Sequence, residues 1–312
     1  MARRSTASGR PRLKHRVEYA LLRAALALLS LLPLGAALWC GRRLADFAFD
    51  ILRLRRAVTL ANLERAFGGS LRAGERRALA RSAYRQVGMS FCEVLRFPGE
   101  RPESLLARAS VGPDEILERA RGHQGGLIYL TAHTGNWELF GTVMGLLDRP
   151  LATIVAAQRN PLVDRWIKRW RARMRGMVMI ERGSALRGIL RALGGGGRVG
   201  IAGEQDAGPQ GLFLPFLGRP ASTAIGPARF AYRSGAMIVI GFDRRLAGGR
   251  HAIELHPPLF ADRSRPEEEE TLRILSHYTR LLEDFVRRHP DQWFWMHRRW
   301  KTRPPGEGAC AG

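Results

Sequence analysis

The sequence predicts an α/β protein, with a mixed, mainly parallel central sheet flanked by helices and an N-terminal membrane-associated helix ahead of it. Three observations carry this. From Leu127 to His289, short apolar β-prone runs alternate with amphipathic helical stretches, the pattern of strands joined by crossover helices. A chain of 312 residues can bury a full core, as one large domain or one domain with an appendage. Residues 24–41 are rich in Ala and Leu and hold no charge between Arg23 and Arg42-Arg43.

Taken in order, residues 1–16 form a basic arm containing Ser, Gly and Pro, expected to be mobile. Residues 17–56 read as a helical membrane-anchoring segment. The uncharged stretch 24–41 has about the minimum length of a bilayer span, although Pro33 and Gly35 interrupt it. Ala37-Leu38-Trp39 is a poor signal-peptidase site. A buried core helix is the other reading. The basic residues Arg42, Arg43, Arg53, Arg55 and Arg56 would lie toward the cytoplasm. The main domain spans 57–302, and 303–312 is a tail.

Within the main domain, 58–97 is helical, with Leu60, Leu63, Ala66 and Phe67 on one face and a break at Gly68-Gly69. A polar, helical link runs to about Gly126. Strands are expected at 127–132, 151–157, 177–180, 199–202, 236–242 and 252–255. Helices are expected at 136–147, from Pro161 onward with Leu162, Trp166, Ile167 and Trp170, at 186–193, at 226–233 and at 266–289. Gly194–Gly197 stops the third of these. Four glutamates, Glu267–Glu270, suit the positive end of the last.

Composition narrows the function classes. Lys+Arg number 51 against 28 Asp+Glu, a formal charge of +23, which favours nucleic acid, anionic lipid or an acidic protein as partner. Cys40, Cys92 and Cys310 are few and far apart, which argues against a disulfide framework. No metal-ligand spacing and no phosphate loop is present, so neither a metal nor another cofactor is expected; His251 and His256 read as structural.

The chemistry-bearing residues cluster at strand ends and in loops, where open sheets place their sites. His133 stands where the 127–132 strand ends, and Glu138 in the first turn of the next helix. The turn Thr134-Gly135-Asn136-Trp137 lets them converge, so a carboxylate can hold an imidazole as a proton acceptor; a surface pair or helix cap is the plainer reading. Arg159, in Gln158-Arg159-Asn160-Pro161, could steady an oxyanion or be a solvated loop residue. Glu204-Gln205-Asp206 follows another strand. Phe213, Pro215 and Phe216 lie in an apolar, rigid run suited to lining a lipid-facing slot or closing the core. In 291–301 three tryptophans interleave with His297, Arg298, Arg299 and Lys301. That fits an interfacial belt with its cations on phosphates, a stacking platform for single-stranded nucleic acid, or an edge strand.

These residues together resemble a known family. His133-Thr-Gly-Asn-Trp-Glu138 looks like the His-x4-Asp/Glu motif of glycerolipid acyltransferases. Asn62-Leu-Glu-Arg-Ala-Phe67, Arg159-Asn160-Pro161, Glu204-Gln205-Asp206, Pro215-Phe-Leu-Gly-Arg-Pro220 and Gln292-Trp-Phe-Trp-Met-His-Arg-Arg-Trp-Lys301 follow in the order of the lipid A biosynthesis (lauroyl and myristoyl) acyltransferases. The resemblance covers roughly residues 20–302. It implies an enzyme on the cytoplasmic face of a bacterial inner membrane. The donor would be an acyl thioester of acyl carrier protein or coenzyme A, and the acceptor a membrane glycolipid, most simply a lipid A precursor. The filling Thr-Gly-Asn-Trp also resembles the acyltransferases of phosphatidylinositol mannosides, which use acyl-CoA. His133 would be the general base, oriented by Glu138 or Glu204. Arg159 and the amides of Gly135, Asn136 and Trp137 would stabilise the oxyanion. Asn160, Asp206, Phe213, Pro215, Phe216, Arg298, Arg299 and Lys301 would contact substrates. No nucleic acid is expected on this reading; a basic nucleic-acid or membrane-surface binding protein without catalysis is the rival from another class.

Overall fold

The computed structural model describes residues 12–155, 158–173, 176–181 and 185–306. Its N-terminal portion is helical: α1 (Leu13–Leu31), α2 (Leu34–Asp50), α3 (Arg56–Phe67) and α4 (Ala73–Arg96). The expected single anchor across 24–41 is broken at Pro33. Proline lacks an amide proton and forces its predecessor out of helical backbone. Leu32 is accordingly extended (φ −77°, ψ 143°), and α2 starts afresh. Among the described residues no helix is long and apolar enough to cross a membrane. Residues 13–16, expected in the mobile arm, already belong to α1; the rest of that arm up to residue 11, the tail beyond 306 and Cys310 lie outside the described residues. α2 packs on α4 through Ala37, Leu38, Ala45 and Phe49, and leaves Trp39, Leu44 and Phe47 exposed.

The α/β portion continues with α5 (Pro102–Leu106), β1 (Ala109–Gly112), α6 (Asp114–Gly122), β2 (Leu127–Thr131), α7 (Trp137–Leu147), β3 (Leu151–Val155), α8 (Pro161–Arg173), β4 (Met177–Glu181), α9 (Ala185–Gly194) and β5 (Arg198–Ala202). A hairpin of β6 (Leu212–Phe216) and β7 (Arg219–Thr223) follows, then α10 (Gly226–Ser234), β8 (Met237–Arg245), β9 (His251–Leu255) and α11 (Glu267–Arg288). The sheet order is β1–β9–β8–β2–β5–β3–β4, and only the β8/β9 pair is antiparallel. β1 falls inside what the sequence suggests is a helical link. Four residues without alternation carry no signal of their own and gain a partner only in β9.

β2 is central and buried on both faces, as a parallel strand covered by helices should be. Ile128 and Leu130 join Ile240, Tyr278 and Phe285 on one side, and Leu127 and Tyr129 join Phe140, Val143 and Met144 on the other. The tryptophans of 291–301 are neither a belt, a stacking platform nor an edge strand. Trp293, Trp295 and Trp300 are buried among turns, with the rings of Trp293 and Trp295 4.6 Å apart. Trp295 Nε1 donates to the carbonyl of Pro290 at 2.6 Å, so the polar end of the indole is satisfied inside.

Candidate active site

Register builds the site. β2 and β5 pair in parallel with Thr131 opposite Ala202. Two residues past each strand, His133 and Glu204 leave the carboxyl edge side by side, and Nδ1 of His133 lies 2.6 Å from Oε1 of Glu204. The carboxylate that holds the imidazole is therefore Glu204. Glu138 adds its charge from the first turn of α7. With Nδ1 donating to Glu204, the lone pair of Nε2 is the one available. Burial pushes His133 down, but the charge and hydrogen bond of Glu204, with the charge of Glu138, outweigh it and hold the imidazole above its ordinary value. Burial pushes Glu204 up; the His133 charge and hydrogen bond, with nearby backbone amides, outweigh that and keep it below the ordinary carboxylate range.

The turn after His133 is fixed from outside. Phe294 N donates to the His133 carbonyl at 3.0 Å and Gly135 N to the Gln292 carbonyl at 2.8 Å. Gly135 has φ +48°, and a Cβ there would collide with Asp243, so glycine is needed both for its backbone and for its bareness. Asn136 N donates to Asp243 Oδ2 at 2.6 Å, and the Asn136 side chain caps α7 through the Leu139 amide at 3.1 Å. Its Nδ2 donates to Glu93 Oε2 at 2.7 Å. The amides of Gly135 and Asn136, expected to serve an oxyanion, are thus engaged within the protein. The Trp137 amide at the start of α7 has no hydrogen-bond partner among the described residues.

Behind that turn lies a buried ionic cluster that sequence reading missed. Arg245 grips Glu93 by two hydrogen bonds, of 2.7 and 2.6 Å. His251 has Nδ1 2.8 Å from Asp243 Oδ2 and Nε2 3.3 Å from Glu93 Oε1. Burial raises Glu93, yet the hydrogen bonds and charges of His251 and Arg245 pull it down to about 2. The sequence signal was slight: a lone Glu within an apolar helix face and an Asp ending an apolar strand.

His133 opens on a cavity of about 270 Å³ between α7 and the sheet. Trp137, Glu138, Phe140 and Gly141 wall it on the helix side, and Leu151, Ile154, Met177 and Ile201 on the sheet side. Leu151 pairs with Arg198 and Thr131 with Ala202, so the slot follows the strands for about 13 Å at 3.3 Å per residue. Gly141 and Gly200 leave it open: a Cβ on Gly200 would lie 2.8 Å from Leu151 Cδ2. One turn beyond the lining residue Gly141, α7 lies backbone to backbone on Gly176, where a Cβ on Gly145 would overlap the Gly176 carbonyl.

The other residues singled out from the sequence sit elsewhere. Arg159 is exposed on the loop after β3, on the same edge of the sheet but outside the cavity lining. Asn160 is buried; its Oδ1 accepts from the Leu162 amide at 3.0 Å at the start of α8, and its Nδ2 donates to the His15 carbonyl of α1 at 2.9 Å. Phe213, Pro215 and Phe216 are on the β6/β7 hairpin, which does not line the slot; Phe216 is core, 5.3 Å from the Trp293 ring. Asp206 accepts from the amide and hydroxyl of Thr302, each at 3.0 Å. Arg299 is buried over the Phe216 ring, donating to Ser222 O and Thr223 Oγ1, and burial lowers it to about 10. Arg298 and Lys301 are exposed.

An imidazole held by a buried carboxylate at the mouth of an apolar slot fits a class of enzyme that handles a polar group beside an apolar chain. The chain matches the bacterial lipid A biosynthesis acyltransferase family over residues 7–302, and it belongs to that family. Its reaction class is therefore acyl transfer to oxygen in lipid A biosynthesis. It is 30% identical to the lipid A biosynthesis palmitoleoyltransferase of Escherichia coli (strain K12), over 89% of each chain. Identity is 27% to the lauroyltransferase of the same organism, over 88% of this chain and 87% of that one. It is 25% to the myristoyltransferase, over 85% and 81%.

Proposed function

We propose that the chain moves a fatty acyl group from an acyl thioester, of acyl carrier protein or coenzyme A, to a hydroxyl of a lipid A precursor by direct attack. The observation that carries this is the 2.6 Å bond between His133 Nδ1 and Glu204, with the ring beside an apolar slot. Nε2 takes the hydroxyl proton as the acceptor oxygen bonds to the thioester carbonyl carbon. Glu204 stabilises the imidazolium that forms. The tetrahedral oxyanion is stabilised by the positive end of α7, at the Trp137 amide; Arg159, on the same edge, is a second candidate. The C–S bond then breaks, and the thiolate takes the proton back from Nε2. No acyl-enzyme is needed; burial pushes the Cys92 thiol up to about 11, far from a ready nucleophile.

The acyl chain occupies the slot between α7 and the sheet, away from water. The exposed apolar side chains of α1 and α2, Leu21, Leu28, Trp39 and Phe47 among them, dip into the cytoplasmic leaflet of the inner membrane, with basic neighbours on its anionic headgroups. The test offers purified protein both kinds of donor against a panel of lipid acceptors. His133→Ala is expected to lose transfer by roughly 10²- to 10⁴-fold or more while still binding vesicles. Wild-type turnover by that variant overturns the base assignment.

A further inference from the structure

A second concavity lies beside the catalytic edge, with no part in the chemistry described. His297 accepts from the Asp206 amide at 3.0 Å, two residues beyond Glu204, and borders it. Two hollows of about 580 and 370 Å³ share Val58, Arg298 and Lys301 and so form one groove between α3 and the C-terminal segment. Arg55 stands at one end and Arg65 at the other. No carboxylate lines it, and among the described residues Arg55, Arg65 and Arg298 make no ion pair. With 51 Lys+Arg against 28 Asp+Glu, unpaired arginines are common in this chain; what sets these three apart is that they border one hollow.

The groove is built as follows. The first turn of α3 opens on the groove through Val58, at the positive end of a twelve-residue helix. Trp300 lines the groove with its ring, and its Nε1 is turned into the interior. The walls are rigid: Asn62 Nδ2 donates to the carbonyls of Trp295 and His297 at 2.8 and 2.6 Å, which ties α3 to the C-terminal segment. Arg55 holds left-handed backbone (φ 57°), unusual for a non-glycine residue, at the cap of α3.

We infer that this groove is an anion site that takes a phosphate group carried by one of the two substrates. Guanidinium forks match phosphate oxygens bidentately, and arginines left unpaired in the free protein are poised to do so. That the phosphate belongs to a substrate rests on the transfer reaction proposed above; the anion site itself does not.

The experiment has a binding arm and a kinetic arm. Inorganic pyrophosphate is titrated calorimetrically into the full chain, into the double variant Arg65→Ala/Arg298→Ala and into His133→Ala. Wild type and His133→Ala are expected to bind alike. The double variant should bind more weakly by about tenfold per arginine, the size of one charge-assisted hydrogen bond. Failure of the wild type to bind, or equal binding by the double variant, overturns the site, whatever the state of the chemistry. In the kinetic arm, each arginine variant is assayed with phosphorylated and dephosphorylated glycolipid acceptors, and with acyl carrier protein against a short acyl thioester lacking phosphopantetheine. A KM raised only for the phosphorylated acceptor assigns the phosphate to the acceptor. One raised only for the phosphopantetheine donor assigns it to the donor. Equal KM values for both forms of both substrates overturn the substrate assignment. Displacement of pyrophosphate by carrier protein stripped of its phosphopantetheine makes the groove a dock for an acidic protein surface, and overturns the phosphate reading.

Discussion

The protein contains two histidine–carboxylate pairs built from the same parts. His133 meets Glu204 at 2.6 Å and His251 meets Asp243 at 2.8 Å, and both imidazoles are held above their ordinary value against the pull of burial. They differ in what the other nitrogen does. The side chain of His251 is 0% exposed, and its Nε2 is taken by Glu93; that of His133 is 22% exposed, and its ring borders a cavity. A histidine with both nitrogens committed is a strut. A histidine with one committed keeps a nitrogen for a proton, as the proposed base requires. The outer pair is distinguished by a bond left unmade, and the inner pair sits behind it holding the turn from which it projects.

The contrast can be broken first at Glu204. Glu204→Gln is expected to lower the transfer rate roughly 10²- to 10⁴-fold with little loss of fold. Its rate profile should also move. The base works when neutral, so wild-type activity falls as pH drops through a pKa held above 6.5. Without the carboxylate that limb shifts to lower pH, and steady-state rates against pH check it. The opposite result belongs to the inner pair. Glu93→Ala leaves Arg245 and His251 charged and buried, a loss of about 3–5 kcal/mol in denaturant melts. If Glu93→Ala instead kept full stability and lost only turnover, the division between strut and base would be gone.

A third change sharpens the distinction at the slot. Gly141→Leu fills space that only the outer pair borders, and is expected to turn preference toward shorter acyl chains by about 10- to 200-fold per methylene excluded, read from product chain lengths with mixed donors. The smallest effect is in wild-type stability against pH. Glu93 has a depressed pKa, about 2 against 4.5, so its contribution is complete above about pH 4.5 and is lost as pH falls toward 2. His251 has a raised one, so its contribution is complete below 6.5 and fades as pH climbs through the folded value. Thermal melts across pH should show both edges, and the first should vanish in Glu93→Gln.

The β2–turn–α7 unit was legible in the sequence because each boundary carries its own chemistry: an apolar run, a glycine needing positive φ, an asparagine cap, an acidic first turn. The choice between Glu138 and Glu204 was not, because it depends on β5 lying beside β2 in matched register, and sheet order is not a local property. The tryptophans misled for a related reason. Alternation with cations looks like an exposed belt until the turns direct Trp293, Trp295 and Arg299 inward, where a carbonyl takes up the Trp295 indole and an aromatic face and a strand take up Arg299. In 24–41 the interruption at Pro33 is legible, but that it divides the stretch between two separate helices, α1 and α2, shows only in the backbone.

Where α7 meets Gly176, peptide faces peptide with nothing between them. Main chain has no rotamers to flip, so this contact is a fixed backing one turn behind Gly141 and next to Met177, which line the hollow. If the proposed acyl chain lies in the hollow, the Leu151 and Met177 end would meet it with side chains seated on main chain that has no slack, and the length accepted would be set when sheet and helix close together.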